Sequence, residues 1–155
     1  MSTAKRKLLL IACSNRKVRT KGLLPALERY DGVTYRVIRK AMREGYFPPN
    51  VDIKILSAKF GLIGAETEIP YYDQRMDRAR ARELRSPVSR DLGQLIQSNK
   101  YSEIFVNMGK VYLLAPDSFA KIASGRVIAK YAAGGIGKKA RVLKEWLLLN
   151  GLTRS

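Results

Sequence analysis

The chain has no histidine and only one cysteine, Cys13, among its 155 residues. A single thiol cannot form a disulfide within the chain, and the usual nitrogen and sulfur ligands of a transition-metal site are missing. The absence of histidine also excludes Ser-His-Asp and Cys-His catalysis, so any acid or base must be Asp, Glu, Lys, Tyr or Cys. We therefore expect no metal and no cofactor.

Acidic residues are scarce as well, since 13 Asp and Glu stand against 30 Lys and Arg and give a formal net charge of +17. That charge is far larger than solubility alone favours. A polyanionic partner explains it best, and we expect nucleic acid, with DNA as the expected form, and no membrane partner. A basic surface without any such partner is the alternative.

The basic start of the chain leads into an apolar run, residues 8–12, that is too short for a signal-peptide core or a membrane span. We therefore expect a cytoplasmic protein. The length and the 46% hydrophobic content fit a single domain over residues 1–155. The oligomeric state is not predicted by any of these features.

Four short apolar stretches, each followed by a loop rich in Ser, Gly or Lys, have the pattern of buried strands. They are residues 7–13, 51–57, 103–108 and 126–130. Their alternation with helical segments predicts an α/β fold: three-layer α/β/α with a central, mainly parallel sheet of about four strands. Ligands of such sheets bind outside the carboxyl ends of the strands, so the four loops that follow these strands are the candidate site.

Helical periodicity appears in three of the connecting segments. The first has an apolar face formed by Tyr35, Ile38, Ala41 and Met42. Its other face is solvated and basic and is formed by Arg36, Arg39, Lys40 and Arg43. The second covers residues 77–97, with a break expected at Ser86-Pro87. The third is the last helix, with a stop expected at Asn150-Gly151 and an apolar face of Ile136, Ala140, Leu143 and Leu147 beside Trp146.

The loop after the first strand places small polar groups and two cations at a strand end. Cys13, Ser14 and Asn15 can meet a phosphate or a base edge, and Arg16 and Lys17 can hold negative charge. We expect all five at the substrate, with Asn15 as a catalytic candidate. A small core residue is the better interpretation of Cys13 than a nucleophile.

The second loop combines cations, aromatic rings and carboxylates without apolar periodicity, which indicates a structured surface loop. Ser57 and Lys59 are predicted to bind substrate. Tyr71 or Tyr72 can stack on a base, with anchoring of the loop to the core as the alternative for one of the two. Asp73 is the best-placed catalytic carboxylate, although it can equally cap the arginine-rich helix that follows.

The third and fourth loops offer a base-reading amide and a phosphate site. Asn107 can pair with a base edge, or it can be a buried amide that ties the strand end to its loop, and Lys110 adds a phosphate contact. Gly135, Gly137 and Lys138 open the last helix, where free amides and the helix dipole favour an anion. The spacing lacks the P-loop signature, so it does not support nucleotide hydrolysis.

Six arginines between the second and third loops predict a footprint on a phosphate backbone, with a merely solvated helix face as the alternative. Two carboxylates, Asp77 and Glu83, offset part of this charge. The arginines are Arg75, Arg78, Arg80, Arg82, Arg85 and Arg90.

Four segments resemble, in order, a family of small uncharacterised bacterial and phage domains: CSNRK, LPALERYDGVTYRVIRKA, ILSAKFGLIGAETEIPYYDQRM and GGIGKKARVLKEWL. That family is itself similar to peroxide-stress YaaA-type proteins, which are associated with DNA binding. A weaker resemblance is to the uracil-DNA glycosylase fold, in which a polar motif after the first strand positions water and an asparagine at a later strand end recognises the base. This resemblance implies those roles for Asn15 and Asn107. The chain departs from that fold in having no histidine after the last strand, where residues 135–139 lie.

The leading hypothesis is a DNA glycosylase, an N-glycosidase that excises a modified or damaged base from a flipped nucleotide. Breaking that bond builds positive charge on the sugar and negative charge on the base, so Asp73 or Asn15 would act on the sugar side, with Asn107 and Lys59 at the base. A variant in which a lysine forms a Schiff base with the sugar stays open. A DNA-binding or protective protein without catalysis and a base-modifying transferase are the alternatives.

Overall fold

A computed structural model of the protein describes residues 5–99, 101–116 and 127–152. Five strands form its main sheet: β1 (Lys7–Ala12), β3 (Val51–Ser57), β4 (Gly61–Gly64), β6 (Glu103–Asn107) and β7 (Ile128–Tyr131). Two further strands, β2 (Leu24–Pro25) and β5 (Glu68–Ile69), pair with each other in antiparallel fashion. The main sheet has the order β4-β3-β1-β6-β7.

The described helices are α1 (Ala26–Arg29), α2 (Val33–Arg43), α3 (Arg78–Asn99) and α4 (Ile136–Leu152), and a short 3-10 turn spans Tyr112–Leu114. Within the described ranges, no helix combines the length and the apolar character that crossing a bilayer requires.

The central sheet is mainly parallel, which confirms the predicted α/β class. Strand β1 pairs in parallel with β3 and with β6, and β6 pairs in parallel with β7. All four predicted strands are present: β3 has the predicted bounds and the other three differ by one or two residues at their ends, although Arg126 lies outside the described residues. The prediction that the fourth strand is buried is wrong, because β7 lies at the edge of the sheet with Ile128, Lys130 and Tyr131 exposed. The sheet has a fifth strand, because β4 runs antiparallel beside β3.

Alternate side chains of β1 point to opposite faces of the sheet, and both faces are buried. Leu9 and Ile11 pack in one apolar cluster with residues of α2 and α4. Leu8 and Leu10 pack in a second cluster with α3. Burial on both sides explains why β1 is apolar at every central position rather than at every second one.

The predicted break at Ser86-Pro87 is wrong, because α3 runs through Pro87 without interruption. A proline inside a helix removes one backbone hydrogen bond and is unfavourable by itself. The buried side chains of α3 nevertheless keep helical spacing on both sides of Pro87, so packing of one continuous face outweighs the local preference. These side chains are Ala81, Leu84, Val88, Leu92 and Ile96.

The interpretation of the segment after β3 as a surface loop is wrong in part. It contains β4 and β5, and Ile69 and Tyr72 are buried in the core. Strand β4 has only four residues, with a glycine at each end, and lies at the edge of the sheet. Such a strand is defined by its pairing partner rather than by its own sequence pattern.

Some helix positions also differ from the prediction. Met42 and Ile136 are exposed rather than part of the apolar faces. Arg39 is not simply solvated, since its guanidinium donates to the carbonyls of Leu27 and Tyr30 at 2.8 and 2.9 Å. Helix α4 continues beyond Asn150-Gly151 to Leu152.

Arg29 is completely buried although it carries a charge. Its Nη1 donates to the carbonyls of Val18 at 2.7 Å and Thr20 at 2.9 Å, and its Nη2 donates to the carbonyl of Gly22 at 2.6 Å. Its Nε and Nη2 both reach the carbonyl of Ile69 at 3.3 Å. Arg29 therefore holds the loop that precedes β2 against β5.

Replacing Arg29 with methionine should lower the free energy of unfolding by on the order of 3 kcal/mol, since several buried carbonyls lose their donor. Denaturant unfolding measures this change. The matched control is Arg43→Met on the exposed surface of α2, which should leave stability nearly unchanged. Equal stability of the two variants would contradict the role assigned to Arg29.

Candidate functional site

The chain leaves β1 and β6 toward opposite faces of the sheet. After β1 it continues to α2, which packs with Leu9 and Ile11. After β6 it forms the 3-10 turn, where the Leu114 carbonyl accepts a hydrogen bond at 2.9 Å from Arg85 of α3 on the other face. Ligands of open α/β sheets bind in the crevice that such a reversal creates at the carboxyl ends of the strands.

A cavity of about 490 Å³ occupies this crevice. Its wall is formed by the end of β1 and its loop (residues 12–16), the start of α2 (residues 31–36) and the end of β6 (residues 107–109). Tyr112 and two residues of the first turn of α4, Ile136 and Lys139, complete the wall. The cavity therefore joins three of the four predicted loops and leaves out the second.

The charged groups in the cavity wall are three cations, Arg16, Arg36 and Lys139, and one carboxylate, Asp31. Asp31 pairs with Arg36 at 3.1 Å, with Arg16 at 3.5 Å and with Arg39 behind the wall at 2.7 Å. The hydrogen bond from Arg36 is the largest cause that holds the pKa of Asp31 below its usual value. Asp31 therefore stays ionised while its charge is balanced, and the wall is positive overall.

Two helices begin at the cavity. Gly32 precedes α2, and no side chain caps the first N–H groups of that helix. A Cβ on Gly32 would lie 2.9 Å from Cβ of Ser14, so glycine lets the β1 loop approach the helix start closely. Helix α4 starts at Ile136, also in the wall. Uncapped N–H groups and the positive ends of two helix dipoles favour an anion here.

Asn107 and Lys139 tie the end of β6 to the start of α4. The Nδ2 of Asn107 donates to the Lys139 carbonyl at 3.2 Å, and the ammonium of Lys139 donates to the Met108 carbonyl at 3.1 Å. Asn107 is thus a nearly buried tie, one of its two predicted roles. No donor among the described residues bonds its Oδ1, and Asn107 is a residue of the cavity wall, so the base-reading role stays a prediction.

The β1 loop contributes polar groups of two kinds to the wall. Ser14 closes its own loop, since its hydroxyl donates to the Arg16 carbonyl at 2.6 Å. Asn15 is exposed in the wall. Cys13 is mostly buried, with its sulfur 3.1 Å from the hydroxyl of Tyr112 and 3.4 Å from the backbone nitrogen of Ala58 that donates to it.

The residues of the second loop form a cluster outside the cavity wall. Ser57 accepts hydrogen bonds from the backbone nitrogens of Lys59 and Phe60 at 3.2 and 3.1 Å. Its hydroxyl is also 3.0 Å from that of Tyr72, which is 2.6 Å from that of Tyr30. Ser57 therefore shapes the turn after β3 and is not free for substrate in this arrangement.

Burial keeps the two tyrosines of this cluster protonated. It raises the pKa of Tyr30 to about 12 and that of Tyr72 well above its ordinary value. Lys17 lies over the Tyr72 ring at 4.5 Å, and partial burial lowers the pKa of its ammonium. These groups link the β1 loop to the second loop.

The two neighbouring tyrosines have different roles. Tyr72 is 4% exposed and anchors the segment, whereas Tyr71 is 39% exposed. Asp73 is exposed and is not part of the cavity wall. The cap of α3 is Asp77, whose Oδ1 accepts a hydrogen bond from the Arg80 backbone nitrogen at 2.7 Å, so Asp77 and not Asp73 has the capping role.

The remaining predicted residues lie near the same edge without entering the wall. Lys110, Gly135, Gly137 and Lys138 are all exposed and adjoin wall residues in the chain. Of the arginines, Arg80 donates to the carbonyls of Ala58 and Lys59, Arg85 to that of Leu114, and Arg90 pairs with Asp91. Arg75, Arg78 and Arg82 are exposed and have no such tie to another residue in the described part of the chain.

Several wall residues were missed by the sequence analysis. Asp31 lies five residues before Arg36 and eight before Arg39, a spacing that places the carboxylate beside two cations of the following helix. The sequence predicts Lys138, and not Lys139, as a binding residue. The helical period places Lys139, and not Lys138, on the side of α4 that faces the cavity. Within the described part of the chain, no group of three Cys, Asp or Glu side chains is arranged to hold a metal ion.

Residues 8–145 of the chain match a family of unknown function, DUF6884. A search of curated proteins found no match. These results leave the resemblance to YaaA-type proteins and to the uracil-DNA glycosylase fold as a prediction.

Replacing Tyr72 with phenylalanine should lower the free energy of unfolding by about 1 to 2 kcal/mol, because the buried hydroxyls of Tyr30 and Ser57 lose a partner. The matched control is Tyr71→Phe, one residue away and exposed, which should be neutral. Thermal unfolding of both variants measures the difference. A destabilisation shared equally by the two would show that the cluster does not anchor this segment.

Proposed function

Because the chain belongs to DUF6884, a family of unknown function, we propose a role from its site: the protein binds nucleic acid and receives a single nucleotide in the cavity, where it hydrolyses the N-glycosidic bond. The observation that carries the proposal is the positive cavity at the reversal point between β1 and β6. Its volume of about 490 Å³ suits a small-molecule site. The two apolar clusters on opposite faces of the sheet support a three-layer frame for it.

Phosphate recognition would fall to the starts of the two helices. The N–H groups that follow Gly32 and Gly135 lie where a nucleotide phosphate can accept hydrogen bonds. Arg16 and Lys139 would add charge-assisted contacts, since Asp31 offsets only part of the positive charge of the wall. The rest of a bound strand would follow the basic edge, consistent with the net charge of +17.

Base recognition would fall to the β6 end. The Oδ1 of Asn107 can accept a hydrogen bond from an amino or imino group of a base, with its Nδ2 already held by the Lys139 carbonyl. Tyr112 and Ile136 supply apolar surface in the same wall. An amide fixed by a backbone contact is held in one orientation, which is what discrimination between bases requires.

The proposed reaction adds water across the bond between the sugar C1′ and the base nitrogen. The water oxygen attacks C1′, the carbon–nitrogen bond breaks, and the base leaves with the electron pair. The base takes up a proton and the attacking water loses one, so the reaction consumes one water and no other reactant. Asn15 would orient this water, and the net positive charge of the cavity wall would stabilise the negative charge on the leaving base.

A non-catalytic DNA-binding protein is the second candidate, and one observation favours it. The carboxylate in the wall, Asp31, already interacts with three guanidinium groups, so little of its charge is left to stabilise a cationic sugar. Asp73, the other candidate carboxylate, lies outside the wall. A binder needs the positive cavity but no free carboxylate. A cytoplasmic location remains a prediction for both candidates.

Incubation with DNA that carries a panel of modified bases, followed by alkali cleavage, tests the proposal. The wild-type protein should give strand breaks at one class of modified base. Asn15→Ala should lower the rate on the order of a hundredfold through loss of an oriented water. Asn107→Ala should lower it by roughly 5- to 150-fold, the range for losing one base-specific contact.

Asn50→Ala is the matched control for this experiment. Asn50 is an asparagine at the amino-terminal start of β3, where its amide donates to the Lys5 carbonyl, so the variant should retain the wild-type rate. Salt-sensitive DNA binding without release of any base from the panel would contradict the glycosidase and favour the binder. Cleavage that is unchanged in both cavity variants would place the reaction elsewhere.

A further inference from the structure

We infer that the edge beside the cavity is a track for single-stranded nucleic acid, whose unpaired bases stack on Phe60 and Tyr71. The inference rests on the proposed function and adds to it the form of the nucleic acid and the surface that holds it. The track is formed by the loop after β1 and the turn after β3, together with the segment that follows β5.

Two aromatic rings are exposed on this surface. Phe60 is 38% exposed and Tyr71 is 39% exposed, although large aromatic side chains are normally well covered. A base can stack on such a ring whatever its sequence, because every base has an aromatic face.

A cation accompanies each exposed ring. The ammonium of Lys59 lies 5.6 Å from the centre of the Phe60 ring, and the guanidinium carbon of Arg19 lies 5.4 Å from that of Tyr71. A third cation, Lys17, lies over the buried ring of Tyr72, which packs against Phe60 and directly follows Tyr71 in the chain. Alternation of rings and cations matches the alternation of bases and phosphates along a single strand.

The platform is held in place by the core beneath it. Phe60 packs edge-on against Tyr72 with ring centres 5.3 Å apart, and Tyr72 in turn contacts Tyr30. Arg80 fixes the turn that carries Phe60, since it donates to the carbonyls of Ala58 and Lys59 at 2.6 and 2.8 Å. A fixed platform loses little conformational entropy when a base stacks on it.

A duplex fits this surface less well than a single strand. The faces of paired bases are already stacked on their neighbours, so a duplex can use the cations of the track but not its rings. The exposed carboxylate of Asp73 interacts electrostatically with Lys17 and offsets part of the positive charge of the track. Stacking on the rings therefore has a larger share in the binding of a strand. The track also meets the cavity, because Arg16 of the wall and Lys17 are adjacent in the chain.

Fluorescence anisotropy with a labelled thymidine oligonucleotide, single-stranded or annealed to its complement, tests the inference. Phe60→Ala and Tyr71→Ala should each weaken single-strand binding by roughly 5- to 150-fold while changing duplex binding little. The conservative variants Phe60→Tyr and Tyr71→Phe should retain single-strand affinity. Thermal unfolding of all four variants separates lost stacking from lost folding.

Single-strand affinity that is unchanged in both alanine variants would overturn the inference, and so would an equal loss for single strand and duplex. The proposed function has a separate readout, the release of base from modified DNA. If the alanine variants bind single strands normally and base release persists, the track fails and the proposed function stands. If the rings prove necessary for single-strand binding and no base is released, the track stands without the proposed reaction.

Discussion

The structure depends on the hydrogen bonds of one buried cation, Arg29. No carboxylate among the described residues pairs with it. Arg29 donates five hydrogen bonds to backbone carbonyls: one each to Val18, Thr20 and Gly22, and two to Ile69. The carbonyls of Val18, Thr20 and Gly22 belong to the loop before β2, and that of Ile69 belongs to the short strand β5. Because the guanidinium fork fixes both segments at once, the cations of the β1 loop and the rings after β5 share one rigid support.

The second constraint is the reversal of the chain at the sheet. The connection after β1 goes to one face and the connection after β6 goes to the other, so the two strand ends separate and a cavity forms between them. The starts of α2 and α4 meet at this cavity, which makes it positive before any side chain is counted. Arg16, Arg36 and Lys139 reinforce this potential, and Asp31 holds the arginines in position. Anion binding is therefore a property of the topology that the side chains strengthen.

Strands β1 and β6 were predictable because a strand buried on both faces is a continuous apolar run, whereas the short strands β4 and β5 have no such run and were missed. The continuity of α3 was not predictable, since Pro87 is a local signal against a helix and the face that outweighs it becomes visible only when it is packed. The cavity residues at strand ends, Asn15 and Asn107, followed from the parallel-sheet rule. Arg29 has no sequence signature, because a buried arginine and a surface arginine differ only in the carbonyls that the fold brings to them.

The central claim is that the cavity between β1 and β6 receives a nucleotide, and an NMR titration tests it most directly. A deoxynucleoside 5′-monophosphate is added to the 15N-labelled protein and the amide shifts are followed. The account predicts saturable shifts at the backbone amides of Val33 and Thr34 and at the side-chain amide of Asn107, with Asn50 at the other end of the sheet unchanged. Shifts that leave the start of α2 and Asn107 unaffected at saturating nucleotide would contradict it.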